Sequence, residues 1–448
     1  MSLYSIHPLP LPNGATSGSP EQVNDKQVIV GKCLIGNSYK PIVWQSGTFN
    51  LVNLPTPSGG ATGINSGNNV VGYYGSPFIS GFVWKKNTGQ FITLKHFPGQ
   101  TNHTLASAIN TYNQVTGNCV IGNLPPGIFA FAPVLWESET ALPVNIGTNA
   151  TSPIGTQPYC NDINNNKFIV GDVDFPGISD RHAFLWSPKT GVLNNIDGRA
   201  GWRSRAQAIN DLSSPQVVGG FEASASWEFH AFIWDALFPQ IVDLGMPGEL
   251  SFAYDINNLG QVVGSAGKRA VMWEGLVRID LNNPAISNAQ ANGWELIHAS
   301  GINNKGAIVG YGYRNGDTDH ILPWLLTPVK TISWLRHIPI IYMLPHQLWP
   351  GQAYDAPPPK GWPLGLRYPI TSPSPFQLVG PAYDVLNNIL IAKNVTEVTK
   401  SIKDSNIGKQ IQKLTSGLIQ KEIKKVEKLL LKAFLSGNRK VAKGKKVK

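Results

Sequence analysis

Ala253–Trp273 reads AYDINNLGQVVGSAGKRAVMW and holds the unit from which most of the chain is built. An apolar residue precedes Asn, a Gly stands eight positions after the apolar residue, and the unit ends on Trp. The pattern recurs seven times, starting at Val23-Asn24, Ile64-Asn65, Ile109-Asn110, Ile163-Asn164, Ile209-Asn210, Ile256-Asn257 and Ile302-Asn303. The Gly partners are Gly31, Gly72, Gly117, Gly171, Gly219, Gly264 and Gly310, and only the fifth copy stretches the spacing, by two at Ser213-Ser214-Pro215. The closing residues are Trp44, Trp84, Trp136, Trp186, Trp234, Trp273 and Trp324. A fixed period overrides any domain count based on length alone.

Each unit predicts four short strands. The first ends at Ile-Asn and leads into a tight turn such as Asn257-Asn258-Leu259-Gly260, where an Asn side chain bonds backbone further along and tolerates a left-handed conformation. The second is of the Gln-Val-Val-Gly type. The third, His-Ala-Phe-Leu-Trp at 182–186 or His-Ala-Phe-Ile-Trp at 230–234, is apolar on both faces and needs cover on both sides. The fourth follows a Thr-Gly turn, as at Thr88-Gly89 and Thr190-Gly191. Four-stranded repeats of roughly 40–50 residues that must be covered on both faces predict an all-β seven-bladed propeller. The first repeat reads as starting near Val23, without a strand pair of its own before it. The last repeat ends at HILPWLLTP (320–328) without a fourth strand, and residues 3–11, LYSIHPLPL, are expected to supply it. Such closure removes open sheet edges.

These repeats resemble the bacterial HAF-type extracellular repeats, named for the His-Ala-Phe found here at 182–184 and 230–232. The resemblance spans about residues 3–328, including the opening YSI and the closing LLTP. It implies an exported, β-rich repeat protein and brings no catalytic residues with it. Other copies depart from the motif, with Gly81-Phe82-Val83 and Ala270-Val271-Met272 in its place.

Composition agrees with a turn-rich β protein: 46 Gly, 34 Pro and only 14% charged residues. Cys33, Cys119 and Cys160 have no metal-ligand spacing and read as small buried hydrophobes. The opening MSLYSIHPLPLPNG lacks the charged start and apolar core of a secretory signal, and prolines and charges interrupt the most apolar later window, 321–344. The missing signal predicts a cytoplasmic start or a dedicated export route, whereas the resemblance implies the outside of the cell. Charge is concentrated at the end: residues 391–448 carry 16 basic and 4 acidic residues, leaving 21 and 23 in the first 390. The expected organisation is a propeller over 1–330, a Pro/Trp-rich connector over 331–381, an amphipathic helical segment over 382–437 and a disordered basic tail over 438–448.

The long loops join strands 2 and 3 or link successive blades, so one face of the propeller is the functional candidate. Trp202 and Trp294 before first strands, and Trp227 before a third, offer flat faces beside Arg203, Arg205, Glu228 and Glu295. Aromatic faces with neighbouring polar groups suit a glycan or a protein partner. Asp172, Asp174 and Asp180, with Arg181, read as one loop, and Asp317 and Asp319 as another. Paired carboxylates suit hydrolysis or Ca²⁺, but the spacing is not that of a calcium loop, so no metal or cofactor is assigned. His182, His230 and His320 recur at one repeat position, which marks them as structural. Neither a nucleophile elbow nor a phosphate loop is present. In the helical segment, Lys421, Lys424, Lys425, Lys428 and Lys432 form a basic face suited to an anionic membrane surface or to a helical homo-oligomer. Nucleic acid is disfavoured there, since Arg and interleaved aromatics are lacking. A binding or scaffold protein is the reading preferred. A polysaccharide hydrolase or lyase using loop carboxylates, and a purely structural assembly protein, are the alternatives.

Overall fold

The computed structural model describes residues 3–329, apart from 57, 77, 101–102, 124–128, 149–157, 179, 200–201, 225–227 and 238. The connector, the helical segment, the basic tail with its lysines, and Trp227 lie outside the described residues. Those described form seven four-stranded sheets with antiparallel neighbours, the blades of a β-propeller. The inner strands are Ala15–Val23, Gly59–Ile64, Thr104–Ile109, Tyr159–Ile163, Ser204–Ile209, Ser251–Ile256 and Trp294–Ile302, here numbered blades 1 to 7. They contact one another in a closed cycle and so surround a central channel.

The N-terminal strand closes the circle. Tyr4–Pro8 pairs with Asp317–Pro328, Tyr4 opposite Pro328 and Pro8 opposite Trp324, as the outer strand of blade 7. The first repeat differs from expectation, because blade 1 has a complete inner strand of its own at Ala15–Val23. Gly18 and Pro20 break the apolar pattern there and conceal it, and Pro20 is accommodated at a bulge.

That bulge recurs in all seven blades, between Pro20 and Gln22, Ala61 and Gly63, Ala106 and Ala108, Cys160 and Asp162, Ala206 and Ala208, Ala253 and Asp255, and Ala299 and Gly301. The extra residue brings the inner strand hard against the second strand. The repeat Gly sits at this approach. A Cβ added at Gly171 would lie 1.8 Å from the Tyr159 carbonyl oxygen, and at Gly264 1.9 Å from that of Phe252. None of the seven has a left-handed φ, so the absence of a Cβ is what the fold uses.

The repeat Asn residues do two tasks at once. Each Oδ1 accepts backbone N–H groups of its own turn, as Asn257 does from Leu259 and Gln261 at 3.0 Å. Each Nδ2 donates to the carbonyl of the corresponding Asn one blade on. Asn24 reaches Asn65, Asn65 reaches Asn110, and Asn110 reaches Asn164. Asn164 reaches Asn210, Asn210 reaches Asn257, Asn257 reaches Asn303, and Asn303 returns to Asn24 at 2.9 Å. The left-handed residue of the turn is not this Asn but the one three places later, such as Asn68, Asn113, Lys167 or Gly260.

Further links run from blade to blade. The buried hydroxyls of Thr104, Ser204 and Ser251 accept from the backbone N–H of Gly81, Ala183 and Ala231 in the preceding blade. The indoles of Trp44, Trp136 and Trp273 donate to the carbonyls of Pro10, Lys95 and Leu244. Six of the seven repeat Trp residues are buried and Trp84 is half-buried, as expected for the cores between sheets. Each such side chain stabilises the fold by roughly 1.5–3 kcal/mol.

Along the channel, Gln22, Asp162 and Asp255 accept the N–H of Ile64, Ile209 and Ile302 from the following blade at 2.8, 3.0 and 2.8 Å. The residue beside each of those N–H groups is small: Gly63, Ala208 and Gly301. Burial pushes Asp162 up to about 7 and Asp255 up to about 8, against the pull of the N–H groups they accept.

Two measurements check this account. Gly171→Ala is expected to cost about 3 kcal/mol or more in chemical denaturation, through overpacking against Tyr159. Gly198→Ala, with open space at its Cβ, should change stability by less than about 0.5 kcal/mol. The two raised carboxyls make the folded state bind more protons than the unfolded chain between the ordinary Asp range and pH 8. Their stabilising contribution is present at low pH and is lost as pH rises through 7 and 8. Thermal unfolding between pH 6.5 and 8.5 should therefore fall with pH, and Asp162→Asn/Asp255→Asn should flatten that slope.

Candidate functional site

The Asn turns and the hairpins between third and outer strands occupy one face of the propeller. The connections between second and third strands, and between blades, occupy the other, here termed the loop face. On blades 4 and 5 the loop face carries a dense set of paired charges.

Asp172 and Asp174 belong to the second strand of blade 4, Ile169–Asp174, rather than to a loop as the sequence suggested. Pairing of Asp174 with Arg181 and of Val173 with His182 extends the strand that far. Asp172 is 1% exposed; its Oδ2 lies 2.8 Å from Arg181 and 3.9 Å from Arg205 of blade 5. Burial pushes its carboxyl up to about 6, the two guanidinium groups working in the other direction. The Arg181 guanidinium also stands over the Tyr159 ring at 4.8 Å.

Asp180 accepts from Arg203 Nε at 3.2 Å, linking blades 4 and 5. Arg203 also exchanges backbone contacts with Glu222: its N–H donates to Glu222 Oε2 and its carbonyl accepts from the Glu222 N–H. Trp202, half-buried, lies beside Arg199, whose guanidinium is 5.7 Å from the indole and 4.5 Å from the Phe221 ring. Arg199 forms a bidentate pair with buried Asp197 at 2.9 and 3.0 Å and donates to the Glu222 carbonyl. Arg199, Asp197, Glu222 and Tyr159 escaped the reading of the sequence, since no repeat position marks the contacts they make with the neighbouring arginines and carboxylates.

The histidines divide. His182 is buried with Nδ1 2.8 Å from the Asp197 carbonyl. His230 is held between Asp243, 2.9 Å from Nδ1, and Glu228, 3.3 Å from Nε2. Burial works against its charge, but the two carboxylates outweigh burial and raise its pKa above the ordinary range. Both fit the structural role expected. His320 instead sits exposed, 2.8 Å from Asp317, because Asn315-Gly316 makes a two-residue left-handed turn that leaves no loop in blade 7. Asp317 and Asp319 are thus strand residues.

Of the residues read as ligand-binding, Trp202, Arg203, Arg205, Asp174 and Asp180 come together on blades 4 and 5. Glu228 is on the same face of blade 5, engaged with His230. Trp294 and Glu295 are elsewhere, on blade 7. Trp294 is 3% exposed in a core with Leu296 and Trp324, with the Arg314 guanidinium 5.5 Å from its ring, so it offers no stacking surface. Glu295 is exposed opposite Tyr313. Among the described residues no group of three or more His, Cys, Asp or Glu side chains is placed to hold a metal ion. All three cysteines are buried, with burial pushing Cys33 and Cys119 up to about 11 and Cys160 up to about 12. No described helix is long and apolar enough to cross a membrane.

No family model matches the chain, and no curated protein matches it, so the likeness to HAF-type repeats remains one of motif. Several solved structures are similar in arrangement. An oligogalacturonate lyase from Vibrio parahaemolyticus is 8% identical with a TM-score of 0.47, covering 72% of this chain and 93% of that one. U3-55K is 12% identical with a TM-score of 0.46, over 72% of this chain and 98% of its own. A puromycin-hydrolyzing peptidase of Mycobacterium tuberculosis is 12% identical with a TM-score of 0.43, over 70% of this chain and 55% of the peptidase. At such identities a likeness concerns the fold alone, and the propeller assignment rests on the seven sheets themselves.

Proposed function

We propose that this chain is a binding module whose loop face, at blades 4 and 5, takes a glycan. The observation that carries the reading is the convergence of half-buried Trp202 with exposed Arg203 and Arg205 over a floor of buried acids, on the inner strand of blade 5 and the two residues directly before it. An indole face and directional donors held on strands suit a sugar ring. The carboxylates of this face are occupied in ion pairs that fix its shape: Asp172 with Arg181, Asp180 with Arg203, Asp197 with Arg199. The basic terminal region, 16 basic against 4 acidic residues over 391–448, serves on this reading to assemble copies of the chain or to dock it on an anionic surface.

One observation favours the catalytic alternative. Asp172 combines deep burial with a carboxyl pushed up to about 6, the state in which a carboxylic acid exchanges protons near neutrality. A polysaccharide-cleaving activity lost in Asp172→Asn, with unchanged thermal unfolding, would make that reading the better one.

The full-length protein, tested on a glycan array beside Trp202→Ala, is expected to bind a restricted set of glycans. The variant should bind them about five- to tenfold more weakly, as fits the loss of one aromatic contact. Absence of binding to any glycan overturns the proposal.

A further inference from the structure

The repeats align so closely that a column which fails to repeat stands out. Four positions before the repeat's apolar residue, blades 4 to 7 carry Tyr159, Arg205, Phe252 and His298. Blade 3 carries Leu105 there, and blades 1 and 2 carry only Ser19 and Gly60. The next residue in the chain is by contrast nearly constant and buried, as in Ala61, Ala106, Cys160, Ala206, Ala253 and Ala299. This column lies on the inner strands, which surround the central channel, on the loop-face side of the recurrent bulge. Five blades in succession thus carry a large side chain at this level, and the small residues are confined to blades 1 and 2.

On blades 4 to 7 the large residues make a wall of rings with one cation set into it. Phe252 stacks on Phe229 of blade 5 at 5.2 Å, and a Cβ at Gly220 beneath it would lie 2.2 Å from the Phe252 ring. Tyr254 meets His298 at 4.2 Å, and His298 stacks on Tyr311 at 4.5 Å with an interplanar angle of 11°. These rings are half-buried and held by one another, so their remaining faces are presented without loss of side-chain freedom. Burial pushes His298 down to about 4, so the imidazole adds no charge to the wall at neutral pH.

Arg205 is the exception. It stands between Tyr159 of blade 4 and Phe252 of blade 6 in the column, and its side chain is 50% exposed. Among the described residues its guanidinium makes a single ion pair, 3.9 Å from Asp172, a carboxylate already met by Arg181 at 2.8 Å. Half of the side chain is thus open to solvent, and its planar fork matches a carboxylate.

We propose that the loop-side mouth of the channel binds an acidic oligosaccharide, with the Arg205 guanidinium pairing a uronate carboxylate and the rings of Tyr159 and Phe252 facing the sugar. The inference rests on the glycan-binding reading above and adds the ligand's charge and its place at the channel mouth. An Arg beside aromatic walls discriminates an acidic sugar from its neutral counterpart because the neutral sugar leaves the guanidinium desolvated without a counter-charge.

The test is titration calorimetry of the full chain with alginate, pectate and hyaluronan fragments, each beside its carboxyl-reduced form. At least one acidic fragment should bind, and at least about tenfold more tightly than its reduced form. Arg205→Gln should remove that preference, whereas Arg269→Gln, an equally exposed arginine on the second-to-third-strand hairpin of blade 6, should keep it. Thermal unfolding of Arg205→Gln should match the parent, since the side chain is exposed. Equal binding of acidic and reduced fragments, an unchanged preference in Arg205→Gln, or tighter binding of poly-glutamate than of any uronate overturns the proposal. In the first two cases the glycan reading survives; binding of no sugar at all overturns both.

Discussion

Seven asparagine side chains, each bonded to its own turn and to the next blade's backbone, form a circuit that closes only when all seven blades are present. A typical intramolecular hydrogen bond contributes about 1 kcal/mol net, whereas a buried polar group left without its partner costs about 1–3 kcal/mol. The ring ties each blade to the next and the last to the first, and a break at any link leaves a buried amide without its partner. The side chain is suited to this because it offers an acceptor to its own turn and donors to its neighbour.

The remaining constraints follow from bringing inner strands that close to the axis. The bulge in each inner strand presses it on the second strand, and the repeat Gly is the residue that tolerates the approach. On the channel side, long acceptors at Gln22, Asp162 and Asp255 reach over small residues of the next blade. Two large side chains cannot occupy adjacent blades at that level, so the positions alternate as far as an odd number of blades permits. The price of using carboxylates for two of these links is a pair of acids whose ionisation near neutrality works against the fold.

The loop face shows the opposite economy. The strands of blades 4 and 5 run on past their repeat glycines, and the charges at their ends are spent largely on one another, so the face is shaped by ion pairs between blades. Pairs of this kind position groups more than they stabilise them when partly exposed. What stays available is the Trp202 face, the Arg205 fork and the rings of Phe252, Tyr254 and His298, all mounted on inner strands or directly before them. A site placed there inherits the rigidity of the most constrained part of the molecule.

Several features were legible in the amino-acid sequence alone: seven units, four strands in each, Trp in the inter-sheet cores and the use of Leu3–Leu11 to complete the last blade. These depend on local pattern, and a repeated local pattern has only one way to bury its two-faced third strand. The inner strand of blade 1 was hidden because Gly18 and Pro20 disguise it, and only pairing with Ile29–Ile35 establishes it. The site was legible in part: Trp202, Arg203, Arg205, Asp174 and Asp180 were each identifiable, but not their meeting. Trp294 looked like its counterpart Trp202, yet its strand begins at the Trp itself whereas that of blade 5 begins only at Ser204, and within the strand the Trp294 ring turns into the core. The pairing of Arg205 with Asp172, or of Arg203 with Asp180, joins residues of different blades whose distance is set by the rotation from one blade to the next. That rotation is a property of the closed circle. Sequence decides what each blade is, and closure decides which side chains of neighbouring blades face each other.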